Sequence, residues 1–270
     1  MKIMIMTDME GCAGILNHDD WVTPEGRYYE QGKRFLSEEV NAAIAGFFEA
    51  GADEIVVVDG HGHGGIDPEL LDERALLSRG CFMPAWPWGM DKTFDALAFA
   101  GQHAKAGTPN SHITHTGWFD RIDVTINGIS VGEYGQVAFC SMELGIPTIL
   151  ACGENALAEE AAALTPGVVA VGVKQGVLPD GLDALDCDSY RKAKLSAIHL
   201  SPLKARKMIK EGAFNALLKL KHTPGAFSYP RLNPPYSMIE KFRADGEKLP
   251  ETRRVEHPDS VIGLLNIPYL

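Results

Sequence analysis

Uninterrupted apolar runs govern what this chain can fold into: Ile3–Met6 in "KIMIMTDMEG", Ile55–Val58 in "DEIVVVDGHGHGG" and Ala96–Ala100 in "DALAFAGQHAKAGTP". A strand without polar alternation must be covered on both faces, as in a parallel sheet between helices. Between the first two runs, Leu36, Val40, Ile44, Phe47 and Phe48 recur at helical spacing and stop at Gly51, a helix terminator. The pattern predicts an α/β fold, a mostly parallel sheet covered by helices on both faces.

Later segments add detail. In "IDVTINGISVGEYG" the pair Asn127-Gly128 separates two alternating runs, which predicts a β-hairpin insertion. The strand "PTILACG", a helix from about Glu154 to Leu164 and the strand "GVVAVGV" follow. Ser201-Pro202 reads as a helix cap and first-turn proline, with Leu203, Met208, Ile209, Phe214, Leu217 and Leu218 expected inward. From about Pro224 proline and charge dominate, and a smaller C-terminal α+β part is the expectation.

At 270 residues the chain suits one large or two modest domains. A net charge of -11 argues against a nucleic-acid partner, because phosphate binding needs a basic face. Cys12, Cys81, Cys140, Cys152 and Cys187 are scattered and odd in number, without a CxxC pair, which suits a reducing cytoplasm. No secretory leader and no membrane-length apolar stretch is seen, so a cytoplasmic protein without a membrane partner is expected.

The chemistry gathers where the apolar runs end. Asp8 and Glu10 follow the first, His61 and His63 the second, His103 the third, and Glu133 follows the hairpin. In open α/β sheets the carboxyl ends of parallel strands converge on one crevice. Two carboxylates one residue apart at a buried strand end repel each other unless a cation lies between them. Mixed carboxylate and imidazole groups suit a divalent metal of borderline hardness, zinc first, with manganese or cobalt as alternatives. There are ligands enough for two ions about 3.5–4 Å apart with one carboxylate bridging. Of His61 and His63, both in the glycine-rich loop, one is expected to bind.

Other chemistries have thinner support. No Gly-x-Ser-x-Gly elbow precedes a helix, and "DGHGHGG" has neither a terminal Lys-Ser/Thr nor GxGxxG spacing. Cys12 reads as a packed, inert thiol. Lys105 and Lys174 are candidates to neutralise a substrate carboxylate. Trp86 and Trp88, flanked by prolines in "MPAWPWGM", read as lining either a pocket or a subunit contact, the contact being favoured.

The ordered set "DMEG", "DGHG", "GQHAKAGTP", a histidine, then "VGEYG" resembles the zinc-dependent D-aminopeptidases of the DppA type. The resemblance runs from Met1 to about Gly176. It implies two zinc ions per chain held by Asp8, Glu10, His61, His103 and Glu133, with Asp8 bridging. It also implies a catalytic histidine soon after "HAKAGTP", where "NSHITHTG" offers His112 and His115. Flanking Thr114 and Thr116 single out His115, with His112 the alternative. Gly60 stands where the family has serine or alanine, and His63 leaves a ligand swap open.

On this resemblance, residues 1–176 form a metal-binding catalytic domain with the hairpin near 122–132, and 177–270 a smaller region that shapes substrate or an interface. The expected activity is metal-dependent removal of the N-terminal residue, D-amino acids included, from short peptides. The family further implies a decameric homo-oligomer with enclosed active sites. The alternatives are a binuclear hydrolase of another small amide, and a non-catalytic metal-binding assembly protein.

Overall fold

The computed structural model describes residues 1–80, 85–179 and 181–269; Cys81 of the sequence reading lies outside them. The strands are β1 (Lys2–Thr7), β2 (Glu54–Asp59), β3 (Leu76–Ser78), β4 (Ala96–Gln102), β5 (Arg121–Ile126), β6 (Ile129–Ser130), β7 (Thr148–Glu154), β8 (Val169–Gly176), β9 (Ala197–His199), β10 (Tyr236–Phe242) and β11 (Glu251–His257). The helices are α1 (His18–Trp21), α2 (Tyr29–Glu49), α3 (Glu133–Leu144), α4 (Asn155–Leu164), α5 (Cys187–Ala193), α6 (Pro202–His222) and α7 (Val261–Asn266).

Among the described residues the main sheet has seven strands in the order β3-β2-β1-β4-β7-β8-β9. Its neighbours run parallel except β9, which lies antiparallel to β8. The apolar runs behave as strands covered on both sides. Ile3 and Ile5 enter the core beneath α2 and α6, while Met4 and Met6 enter the opposite core with α3, α4 and α7. The α/β expectation, a largely parallel sheet with helices on both faces, describes the molecule.

Asn127 and Gly128 both adopt positive φ, 48° and 80°, the pair of left-handed conformations that closes a two-residue hairpin. The hairpin strands β5 and β6 extend into a four-stranded antiparallel sheet, β11-β10-β5-β6, with strands from the C-terminal part. Residues after Gly176 thus supply strands to both sheets, and α6 packs along α2. The C-terminal cap of α2 is as expected, with Gly51 at φ 84°.

The inward face of α6 differs from its reading. Ser201 caps the helix by accepting from Lys204, Ile209 and Leu217 are buried, and Met208, Phe214 and Leu218 pack half-buried against the core, but Leu203 is 69% exposed. The buried stripe is Ala205, Ile209, Gly212, Ala213, Ala216, Leu217 and Leu220. The cause is a close helix crossing: a Cβ on Gly46 of α2 would meet the Lys210 carbonyl at 2.2 Å and the Ala213 Cβ at 2.9 Å. Small residues face inward because larger ones would part the helices.

Candidate metal centre

The chain runs from β1 to β2 on one side and places β4 on the other side of β1, so the strand order reverses at β1 and β4. Ligand crevices form at such a switch point. Here the two strand-end loops interlock. Asp8 N donates to the Ala100 carbonyl at 3.0 Å and Gly11 N to the Gly101 carbonyl at 2.7 Å. A Cβ on Gly11 would lie 2.0 Å from the Gln102 oxygen, and one on Gly101 2.0 Å from the Asp8 oxygen. Only glycine permits that approach, and it sets Asp8 and Glu10 against Gln102 and His103.

The other contributors arrive from neighbouring elements. The loop after β2 turns back on Asp59, whose Oδ1 accepts from Gly65 N at 2.7 Å, and carries His61 inward. Glu133 opens α3, and its Oε1 accepts from Gly117 N at 2.7 Å.

Asp8 stands at the centre with its two oxygens facing different ways. His61 Nδ1 lies 3.1 Å from Oδ1 and 3.3 Å from Glu10 Oε2. His103 Nε2 lies 3.2 Å from Asp8 Oδ2 and 3.6 Å from Glu133 Oε2. His115 Nε2 is 3.9 Å from Glu133 Oε1. Its ring is stacked between His103 and Phe119, with centroids at 4.1 and 4.3 Å.

Backbone carbonyls fix the state of each imidazole. His61 Nε2 donates to Val22 O at 2.7 Å, His103 Nδ1 to Ala104 O at 2.8 Å, and His115 Nδ1 to Ile113 O at 3.0 Å. A carbonyl can only accept, so in the neutral rings the second nitrogen carries a lone pair turned toward the carboxylates. This is the arrangement by which metal-binding histidines are oriented.

The electrostatics point the same way. Burial opposes ionisation of Asp8, yet contact with His103 and His61 holds its carboxyl well below the usual carboxylate range. Glu10 is raised by burial and by Asp8, but His61 and His115 bring it below its ordinary value. Desolvation opposes ionisation of half-buried Glu133, yet His103 and His115 bring it down to about 2. Burial lowers His61 and His103, but the carboxylates of Glu10 and Asp8 on one and of Glu133 and Asp8 on the other lift both well above the ordinary value. His115 goes the other way, lowered by burial and by the neighbouring charge of His103.

These residues fit a divalent cation. Glu10 Oε2 and His103 Nε2 are buried without a well-aligned hydrogen-bond partner among the described residues. Two trios, Asp8, Glu10 and His103, and His103, His115 and Glu133, offer ligand atoms within 4.8 Å of one another. Oxygen and imidazole nitrogen in this number form a donor set for zinc or its first-row neighbours.

The cluster lines one side of a cavity of ≈ 470 Å³, within the range of small-molecule sites. His63 is exposed at the cavity and takes no part in the cluster, whereas His61 is inside it. His112 lies outside the cavity: it donates through Nε2 to Leu16 O at 2.9 Å and accepts from Lys174 Nζ at 3.0 Å. Burial and Lys174 push it down to about 2. Lys174 is 2% exposed and also bonds the Glu10 carbonyl, so it braces the ligand loop from behind and cannot meet a substrate carboxylate. Lys105 bonds Ser130 Oγ at 2.7 Å in a separate depression.

Trp86 and Trp88 both line the cavity, the pocket alternative of their sequence reading, and Trp86 is 7% exposed. Cys12 is fully buried, which raises its thiol well above the ordinary value and leaves no thiolate for attack near neutral pH.

Sequence reasoning missed Gln102. Its Nε2 donates to Asp8 Oδ2 at 2.9 Å and Glu133 Oε2 at 3.4 Å, orienting both carboxylates. The signal was adjacency, since Gln102 immediately precedes His103. His18, 8% exposed and also on the cavity wall, was missed because it sits in a short helix away from the strand ends. So was Arg121 at the start of the hairpin.

A model of the D-aminopeptidase family matches residues 1–248. The D-aminopeptidase of Bacillus subtilis (strain 168) is 34% identical over 195 residues, which span 72% of this chain and 69% of that protein. Among solved structures, the Zn-dependent D-aminopeptidase DppA from Bacillus subtilis, described as a self-compartmentalizing protease, matches with a TM-score of 0.85 and 25% identity. That match covers 100% of this chain and 96% of the other. The family match therefore continues well beyond Gly176, where the sequence resemblance faded. The chain belongs to the D-aminopeptidase family and is a peptidase, a hydrolase of peptide bonds.

Proposed function

We propose that this chain is a binuclear zinc aminopeptidase that releases the N-terminal residue of short peptides, with a D-amino acid in that position. The observation that carries the reading is the central position of Asp8, one oxygen turned to His61 and Glu10 and the other to His103. On this reading Asp8, Glu10, His61, His103 and Glu133 would together hold two zinc ions. When bound, such ions would supply a water of near-neutral pKa and a Lewis acid for the scissile carbonyl, the latter worth several kcal/mol.

The protein's own groups supply the rest. His115, neutral because burial and His103 lower its pKa, holds Nε2 ready to take a proton and return it to the leaving amine. Its Nδ1–H is fixed on the Ile113 carbonyl, so the ring cannot turn away. Gln102 keeps the Asp8 and Glu133 carboxylates in register. The cavity sets the rest of the peptide apart from bulk water.

The relative described as a self-compartmentalizing protease supports a homo-oligomer, for which the family resemblance implies a decamer. The described cysteines are free and buried, which supports a reducing, cytoplasmic setting. Among the described residues no helix is long and apolar enough to cross a membrane.

The test is hydrolysis of D-Ala-D-Ala and L-Leu-Gly by purified protein, before and after chelation and on readdition of zinc, manganese or cobalt. Metal-dependent release of the N-terminal residue, faster with the D-peptide, is expected. Protein that binds these metals and cleaves neither peptide would end the reading.

A further inference from the structure

The cavity lining is chemically mixed. Besides the carboxylates and imidazoles it includes an apolar wall of Met6, Trp86, Trp88, Val137, Met238 and Leu265. Val137 lies four residues after Glu133 on α3, so both project from the same face, one turn apart. The apolar wall therefore begins about 5–6 Å from the Glu133 position. A peptide whose scissile carbonyl sits at the cluster would bring a flanking side chain onto it.

That wall is fixed before any ligand arrives. Asn266 grips Trp86 by both backbone groups, accepting from its N–H at 3.1 Å and donating to its carbonyl at 3.0 Å. The same amide nitrogen donates to Ile262 O at 2.9 Å within α7. The start of α7 is in turn held by Glu143 of α3, which accepts from Ser260 Oγ at 2.7 Å and Ile262 N at 3.1 Å. The two indoles meet edge to face with centroids 6.1 Å apart. Met238 and Leu265, at 3% and 2% exposure, complete the wall as firmly packed members of it. A prearranged apolar surface loses little side-chain freedom on binding, so its contact with ligand converts efficiently into affinity.

We propose that Trp86, Trp88, Met238 and Leu265 form a specificity subsite for a large apolar side chain next to the scissile bond, and that Asn266 is the residue that positions it. The favoured substrates are then short peptides with a leucine- or phenylalanine-like residue at that position, in preference to alanine-only peptides. This rests on the cluster being the hydrolytic centre.

The test compares D-Ala-Gly, D-Leu-Gly, D-Phe-Gly and D-Ala-D-Phe on the zinc-loaded protein. At one of the two positions, enlarging the side chain should raise kcat/KM by about tenfold or more, chiefly through KM. In Trp88→Ala and in Asn266→Ala that ratio should fall toward one with zinc content unchanged. Hydrolysis of all four peptides at similar kcat/KM overturns the subsite and leaves the peptidase reading standing, as does a preference that survives both substitutions. A zinc-loaded protein that cleaves none of them overturns both. The wild-type series decides the matter even if a variant fails to fold.

Discussion

His103 holds its Nε2 3.2 Å from Asp8 Oδ2 while its Nδ1 is committed to the Ala104 carbonyl at 2.8 Å. A lone pair facing a carboxylate at that distance is stable only with a proton or a metal ion between them. In the metal-free protein the proton takes that place, which is why His103 and His61 are lifted well above their ordinary value.

Zinc must displace those protons. At pH 7 its binding should release about two protons per chain, one each from His61 and His103, as read by calorimetry in buffers of different ionisation enthalpy. The linkage has a definite sign. A histidine raised in the folded state contributes stability fully below its unfolded pKa of about 6.5 and loses it as pH rises through the folded value. The thermal stabilisation conferred by a fixed zinc concentration should therefore grow as pH rises above 6.5. Stabilisation that is flat or shrinks with pH would contradict the assignment.

Gln102 should matter without being a ligand. Replacing it by leucine frees the Asp8 and Glu133 oxygens to turn, and zinc affinity should drop by about 10- to 100-fold. A competitive chelator titration measures this directly, and unchanged affinity would show that the carboxylates are oriented by other means.

His115 and His112 should separate cleanly. His115→Ala should keep its zinc and lose about 10²- to 10⁴-fold in kcat, the range for general acid–base groups. His112→Ala removes the acceptor of a buried ammonium, so its effect should appear in the urea midpoint. Loss of zinc in His115→Ala would make that residue a ligand instead.

The brace behind the ligand loop is Lys174. It is buried against the Glu10 carbonyl, with the carboxylate of fully buried Glu154 the strongest charge favouring its ammonium. Lys174→Met should cost about 1–3 kcal/mol of folding stability, because it leaves the Glu10 carbonyl and His112 Nδ1 buried without their donor. Equilibrium unfolding that shifts by well under about 1 kcal/mol would mean these bonds are not coupled to the fold.

Much of the fold was legible because buried parallel strands leave long apolar runs, and the cluster was legible because those runs break off in Asp8, Glu10, His61 and His103. The rest needed three dimensions. Leu203 looked inward by spacing, yet the tight α2–α6 crossing selects alanine and glycine for the inner face. The strand β11, "ETRRVEH", is an edge strand with an exposed, charged face, so no apolar alternation announces it. For Trp86 and Trp88 the sequence favours the contact over the pocket because nothing local reveals that Asn266, 180 residues away, fastens the Trp86 backbone beside the cavity. Lys174 gives no sequence sign of facing inward, since a buried lysine depends on partners from distant segments.

The central claim is that cations lie among Asp8 and its neighbours. It is tested most directly by anomalous scattering at the zinc edge from crystals grown with zinc. The account predicts two peaks flanking Asp8, one toward His61 and Glu10 and the other toward His103 and Glu133. A map with no peak within coordinating distance of Asp8 would contradict it.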